Sequence, residues 1–297
     1  MDWARQRRHW PFSDQARQVR CRPHSWHVTQ FGHGPQILFL HGAGSTFHSW
    51  RDWLAPLSQE SEVIAIDLPG HGFSRPVGWG RRSLAAIAED LQTLIDHEGW
   101  RPRAIVGHSA GVALALEVGP RMKDPPRAIV GVNAALQNFA GPAGFLFPFL
   151  AKSLAINPVA PYFLSVSATS QAGVRNMLSA TGSSLDAAGV AYYHALFRDR
   201  DHIAGTIAMM AEWDLRALTK RLPGITIPVL LMTGASDLAV PASVTKRAVA
   251  DLPLADTCTF PDLGHLAHEE APELLLSRAR DFLRQEGVLP AVTAPAA

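Results

Sequence analysis

The stretch from Ala104 to Val118 leaves this chain little choice of fold. Apolar β-type residues, Ala104-Ile-Val, run into Gly107-His-Ser-Ala-Gly111, and a helix-forming run from Val112 to Val118 follows at once. A buried strand, a very sharp turn and an immediate helix make the local plan of a nucleophile elbow. Glycine at 107 and 111 removes Cβ atoms that would clash with the neighbouring strand and helix. Ser109 is left at the apex, over a helix N-terminus whose free N–H groups favour a developing negative charge. Five such residues are weak evidence alone, because Gly and Ser are common in turns, so the surroundings must carry the weight.

Those surroundings alternate strand and helix. Gln18 to Arg22 and Trp26 to Phe31 read as short strands broken at Pro23, and Gln36 to Leu40 as a buried strand running into His41-Gly-Ala-Gly44. Phe47 to Leu57 has helical spacing, with Trp50, Trp53, Leu54 and Leu57 on one face. Val63 to Asp67 is the next strand and ends in a turn-rich loop through Ser74; Leu84 to His97 is an amphipathic helix. Ala128 to Val132, Pro228 to Thr233 and Thr257 to Phe260 are further strands. The expected class is α/β, with a mostly parallel sheet covered by helices on both faces. About 95 residues separate Asn133 from Pro228, where a crossover needs roughly a dozen. An insertion is expected there, at a strand's C-terminal end, where ligands bind in open α/β sheets. The expected organisation is core over 1–133, a helical lid over 134–226, core again over 227–286, and a flexible tail over 287–297. In the lid, Leu185 to Phe197, Ile203 to Ala211 and Leu215 to Leu222 read as helices. Phe139 to Ala168 is strongly apolar with Lys152 as its only charge, but Pro142, Pro148, Pro158 and Pro161 break any membrane-spanning helix.

Composition narrows the partners. With 297 residues, 47% hydrophobic and 18% charged, the chain reads as an ordinary globular protein of one large domain with an insertion. A net charge of +1 gives no general attraction to nucleic acid or anionic membrane. Cys21 and Cys258 are too few for a disulfide framework and lack metal spacing, which points to reduced thiols and a cytoplasmic location. No apolar signal-peptide core follows the basic residues Arg5, Arg7, Arg8, Arg17, Arg20 and Arg22. They read as a solvated arm, with docking to an acidic partner or membrane headgroups as the sharper alternative.

A serine hydroxyl needs a base to take its proton, and that base needs a third group to orient it. After Ser109 the chain offers Asp237, past the strand from Pro228, and then His265, past the strand ending at Phe260. The order Ser, Asp, His is the one expected of this architecture. His268 competes as the base and Asp262 as the acid; no Asp or Glu closely follows the strand ending near Asn133, which favours Asp237. His265, His268 and Glu269 lack a distant third cluster to complete a metal site, so no metal and no cofactor is expected. The backbone N–H groups of Ala43 and Ala110 are candidates for an oxyanion hole. His41, Asp67, His71 and Ser74 read as bracing residues, whereas His108 either points into a substrate pocket or packs. Phe145, Phe149 and Phe163, with Phe147 and Leu164, are candidate pocket residues that would suit a flat apolar macrocycle; the plainer reading is lid core.

The combination His-Gly-x-Gly, Asp-x-x-Gly-His-Gly-x-Ser, Gly-His-Ser-Ala-Gly, Gly-x-x-Asp and Gly-His resembles the α/β-hydrolase superfamily over Gln18 to Gln285. More narrowly, the chain is similar to the magnesium-chelatase accessory proteins of bacteriochlorophyll biosynthesis. That likeness rests on Met1-Asp-Trp with Trp10-Pro11, on His41 to Arg51, on Asn157-Pro158, on Thr181 to Gly189, on Met209 to Leu215 and on Leu263 to Glu270. It implies work near magnesium insertion into protoporphyrin IX, with a tetrapyrrole as ligand or substrate and chelatase subunits as partners. It supplies no mechanism, because the chain lacks the Gly-x-x-x-x-Gly-Lys-Ser/Thr loop that ATP-driven insertion would use.

Overall fold

The computed structural model describes residues 1–76, 80–137 and 170–291. Among these the strands are β1 (Ala16–Cys21), β2 (His24–Gly32), β3 (Gln36–Leu40), β4 (Glu62–Ile66), β5 (Arg75–Pro76), β6 (Ala104–His108), β7 (Ala128–Val132), β8 (Val229–Gly234) and β9 (Ala255–Phe260). They form one sheet in the order β1-β2-β4-β3-β6-β7-β8-β9, with β5 paired to β2. β1, β2 and β4 pair antiparallel, and every pairing from β4 to β9 is parallel. β3 has β4 on one side and β6 on the other, so the chain leaves β3 in one direction and later returns in the other. This is the topological switch point, and the crevice beyond the carboxyl ends of β3 and β6 is where such sheets bind ligands.

Parallel strands buried on both faces read as continuous apolar runs, and period-two alternation sorts their side chains between two cores. The first helix, α1 (Trp3–Gln6), lies in the N-terminal arm; Ile37, Phe39, Val63, Ala65 and Val106 pack with Trp53, Leu54 and Leu57 of α2 (Arg51–Leu57). Leu38, Leu40, Ile64, Ile66 and Ile105 face the other way, onto Ile87, Leu91 and Leu94 of α3 (Leu84–Glu98) and Val112 and Leu116 of α4 (Ala110–Val118). α3 starts at Ser83, whose side chain accepts from the Ala86 N–H, and stops at the left-handed Gly99. The expected strands and the α3 helix are found within about two residues of their sequence bounds, the usual scatter of element ends.

Between β7 and β8 the described residues form α5 (Gln171–Ser179), α6 (Ala187–Phe197), α7 (Arg200–Glu212) and α8 (Arg216–Thr219). The last three match the expected helices; α5, capped by Ser170 and burying Val174 and Leu178, was not expected. Phe145, Phe149 and Phe163, with the rest of the Phe139 to Ala168 run, lie outside the described residues. After β8 come α9 (Ala242–Asp251), α10 (Ala267–Glu270) and α11 (Pro272–Gln285), the last packing Leu275, Leu276 and Phe282 with the α2 residues.

The basic arm is not simply solvated. Its six arginines are exposed, but Met1 and Trp10 are buried, and Trp3 stacks on His27 at 4.3 Å and Phe73 at 4.7 Å. The aromatic side of the arm closes the edge of the core, an outcome the dispersed charges conceal. Cys21 and Cys258 are free thiols. No helix among the described residues is long and apolar enough to cross a membrane.

Candidate active site

Ser109 sits between β6 and α4 with φ 51° and ψ −114°, a backbone state that L-residues rarely hold. Its neighbours over-determine it. The Ser109 N–H donates to the Val132 carbonyl at 2.9 Å, and the Ala135 N–H donates to the Ser109 carbonyl at 3.3 Å. The chain returns from β7 to make that second bond through Asn133, itself at φ 48°. A Cβ at Gly111 would lie 2.2 Å from the Leu40 carbonyl oxygen, and one at Gly107 2.7 Å from the Gly111 backbone. The flanking glycines are therefore steric necessities of the turn.

Three loops at the carboxyl ends of β6, β8 and β9 bring Ser109, Asp237 and His265 together. Ser109 Oγ lies 3.1 Å from His265 Nε2, and His265 Nδ1 lies 2.8 Å from Asp237 Oδ2. A carboxylate only accepts, so Nδ1 carries the hydrogen and the Nε2 lone pair faces the serine hydroxyl. Asp237 Oδ1 accepts from the N–H groups of Ala239 and Val240, each at 2.8 Å, and Oδ2 also accepts from Asn133 Nδ2 at 2.7 Å. Burial pushes this carboxyl up, but the His265 hydrogen bond and charge, with the Val240 and Asn133 donors, outweigh it and hold it below the usual aspartate range. Asp262 is exposed, and His268 is fully buried between Trp50 and His108, with ring centroids at 4.5 and 4.4 Å. His108 is 2% exposed and its Nε2–H donates to the His265 carbonyl at 2.9 Å, so its ring braces the histidine loop.

The His41–Gly44 loop comes directly against the elbow: a Cβ at Gly42 would lie 3.0 Å from Ser109 Cβ. Ala110 opens α4, so its N–H has no intrahelical acceptor, and neither it nor the Ala43 N–H bonds another backbone group among the described residues. His41 fixes this loop, accepting the Leu68 N–H at Nε2 (2.8 Å) and donating from Nδ1 to the Gly42 carbonyl (2.7 Å). Asp67 accepts from the Phe47 and Phe73 N–H groups at 2.9 Å each; burial pushes its carboxyl up to about 7 against those two donors. Ser74 donates to the Asp67 carbonyl at 2.6 Å.

The sequence profile of the family described as alpha/beta hydrolase fold matches residues 35–272. The chain belongs to the α/β-hydrolase fold family. A magnesium-chelatase 30 kDa subunit from Rhodobacter capsulatus is 42% identical over 92% of this chain and 96% of its own length. An acetoin-cleaving dihydrolipoyllysine-residue acetyltransferase component from Pseudomonas putida is 26% identical, over 85% of this chain and 64% of its own. A putative lipase from Acinetobacter baumannii superposes with a TM-score of 0.77 at 18% identity, over 92% of both chains. An epoxide hydrolase superposes with a TM-score of 0.76 at 20% identity, over 91% of this chain and 98% of its own. At such identities the structural likeness establishes the fold alone.

Within this α/β-hydrolase fold, several residues around the site carried no local sequence signal. Asn133, on the Asp237 carboxylate, is one. His202 of α7 is another: its Nδ1 accepts the Gly72 N–H at 3.0 Å and its Nε2–H donates to the Gly44 carbonyl at 3.2 Å, tying α7 to both loops of the crevice. Tyr193 of α6 donates to Glu269 at 2.7 Å and meets Ser45 Oγ at 3.1 Å, while Glu269 pairs with Arg51. Half-buried Ala43, Trp213 and Val240 pack on the large apolar cluster that also holds Ala110, Leu136, Met209 and Leu215.

Burial lowers eight histidines, His24, His27, His41, His48, His71, His108, His202 and His268, with His71 at about 4 and His27 and His108 at about 3. The folded state keeps them neutral while the unfolded chain takes up their protons near pH 6.5, so stability is lost as pH falls below that value. Asp67 and Glu269, both pushed up to about 7 by burial, and Glu270, also raised, work in the opposite sense and gain stability as pH falls, but they are three groups against eight. One such group contributes a slope of at most about 1.4 kcal/mol per pH unit, and the histidines outnumber the opposing carboxyls, so denaturant unfolding at pH 7, 6 and 5 should show a net, steepening loss of stability. A flat profile over that range would contradict the neutral rings.

Proposed function

We propose that the chain is a serine hydrolase acting on an ester or related acyl group, in or accessory to the magnesium-insertion branch of bacteriochlorophyll biosynthesis. The carrying observation is the connected line from Ser109 Oγ through His265 to Asp237 beneath a strained elbow. Ser109 attacks the acyl carbon while His265 Nε2 takes the hydroxyl proton. The Ala43 and Ala110 N–H groups receive the oxyanion, and His265 returns the proton to the leaving oxygen. Water, activated by the same imidazole, then releases the acyl group. Asp237 holds the imidazole tautomer and balances its charge. Helices α5 to α8 act as the lid, and the protein works as a cytoplasmic enzyme. The pathway assignment rests on similarity to the chelatase 30 kDa subunit. A fluorophosphonate probe tests the chemistry: it should label wild type at Ser109, and an unlabelled wild type removes the hydrolase reading.

The second reading is an accessory protein that holds a tetrapyrrole for the chelatase subunits without chemistry. It is favoured by the name of the 42% identical relative, a magnesium-chelatase subunit. Titration with protoporphyrin IX and its magnesium form separates the two; no quenching and no Soret shift would remove this reading. Pigment profiling of a Ser109→Ala strain beside a full deletion decides the role in the cell. Matching defects mean that hydrolysis matters, and normal pigment in the Ser109→Ala strain means that binding does.

A further inference from the structure

The motif from Thr181 to Gly189 lies in the inserted segment, and its first four residues do more than connect helices. The turn Thr181-Gly-Ser-Ser184 is built onto the end of α5: the Thr181 and Ser183 N–H groups donate to the Leu178 carbonyl at 2.9 and 3.4 Å, and the Gly182 N–H donates to Ser179 at 2.9 Å. It is then wedged between the two loops that carry the acid and the base. The Thr181 carbonyl accepts from the Leu238 N–H at 3.1 Å and from the His265 N–H at 3.3 Å, one residue past the acid and the base itself. Ser183 Oγ, 2% exposed at residue level, accepts the Leu266 N–H at 2.8 Å. Glu270 closes the far side, accepting from the Ser184 N–H at 3.3 Å and the Gly264 N–H at 3.0 Å. The two glycines have no room for side chains: a Cβ on Gly182, at φ +83°, would lie 1.9 Å from the Ser236 carbonyl oxygen, and one on Gly264 2.3 Å from the Gly182 backbone.

We infer that the Thr181–Ser184 turn is a positioning element that sets the spacing of the Asp237 and His265 loops, so that their alignment depends on the seating of α5. This rests on the serine-hydrolase reading for its consequence in rate, but not for its geometry. Two backbone donors from different catalytic loops share one carbonyl, and a shift of the turn must therefore move both loops. A displacement of about 1 Å at reacting groups can cost two orders of magnitude in rate.

The test uses the full chain and five variants. Ser183→Ala removes the acceptor for the Leu266 N–H and should slow fluorophosphonate labelling of Ser109 about tenfold, a loss of about 1.4 kcal/mol in transition-state alignment. The kcat for p-nitrophenyl acetate should fall with it, while KM stays within about twofold. Ser183→Thr keeps the hydroxyl and should restore labelling. Leu91→Ala, a cavity in α3 away from the turn, should lower Tm and leave the labelling rate unchanged. An independent readout is the far-downfield proton resonance of His265 Nδ1–H, assigned by its loss in His265→Ala. It should broaden or shift in Ser183→Ala and Gly182→Ala. Wild-type labelling together with an unmoved resonance in Ser183→Ala overturns the inference. An unlabelled wild type overturns only the hydrolase reading, because the resonance still reports whether the turn sets the Asp237–His265 contact.

Discussion

Replacing Ser109 with alanine should abolish fluorophosphonate labelling and reduce hydrolysis of a small ester by about 10⁴-fold or more, to what the oxyanion donors and binding alone provide. The size of the effect follows from geometry. Among the described residues His265 Nε2 bonds only the Ser109 hydroxyl, and without it the imidazole can activate nothing but a water in poorer position. Stability adds a second prediction to the same experiment. The backbone at Ser109 is held at φ 51°, which Ala tolerates no better than Ser, so Ser109→Ala should leave the free energy of unfolding within about 0.5 kcal/mol. Ser109→Gly removes the Cβ that makes this conformation costly and should be more stable than either by about 1 kcal/mol, while being equally inactive. Denaturant unfolding of the three proteins checks the order. A glycine variant less stable than wild type would mean that the elbow is not strained in solution. A Ser109→Ala protein that still takes the probe would place the nucleophile elsewhere.

The strands, the elbow and the loops after β8 and β9 were legible because each is written in local spacing. Ile37 to Leu40 is apolar at every position because both faces of the sheet are covered, and Gly107 and Gly111 stand where the turn has no room for Cβ atoms. Asn133, His202, Tyr193 and the Thr181–Ser184 turn were not legible, since their partners lie far away in sequence. Asn133 meets Asp237 104 residues on, and His202 reaches back 130 residues to Gly72. No period or cap marks such pairs; only the closed fold makes them neighbours. The N-terminal arm failed differently. Its charge pattern describes the exposed arginines, whereas its placement is decided by Met1, Trp3 and Trp10, three apolar residues too scattered to form a stripe.

Asp237→Asn should cost nearly as much as the loss of the serine, although it changes one atom. The two oxygens of Asp237 are not equivalent. Oδ1 receives two backbone N–H groups, from Ala239 and Val240, and an amide can satisfy them only with its carbonyl oxygen. The amide nitrogen is then forced into the place of Oδ2, where it meets His265 Nδ1 and the Asn133 side-chain N–H₂. Asn133 can turn its own amide over, because its Oδ1 has no partner among the described residues, at the expense of its contact with the Gly264 carbonyl at 3.2 Å. His265 has a worse choice. To accept from the new N–H it must place its hydrogen on Nε2, and the ring then presents a donor to Ser109 in place of the lone pair that takes the proton. The wrong tautomer typically costs about 10⁴ in kcat, with the fold intact. The expected result is therefore a protein with near wild-type Tm, a kcat lower by about four orders of magnitude and a KM changed little. Asn133→Ala on the wild-type background should be far milder, since the carboxylate keeps its two backbone donors and the imidazole. An Asp237→Asn variant within tenfold of wild type would show that His265 is oriented by something other than Asp237, with the His108 contact to the His265 carbonyl the first place to look.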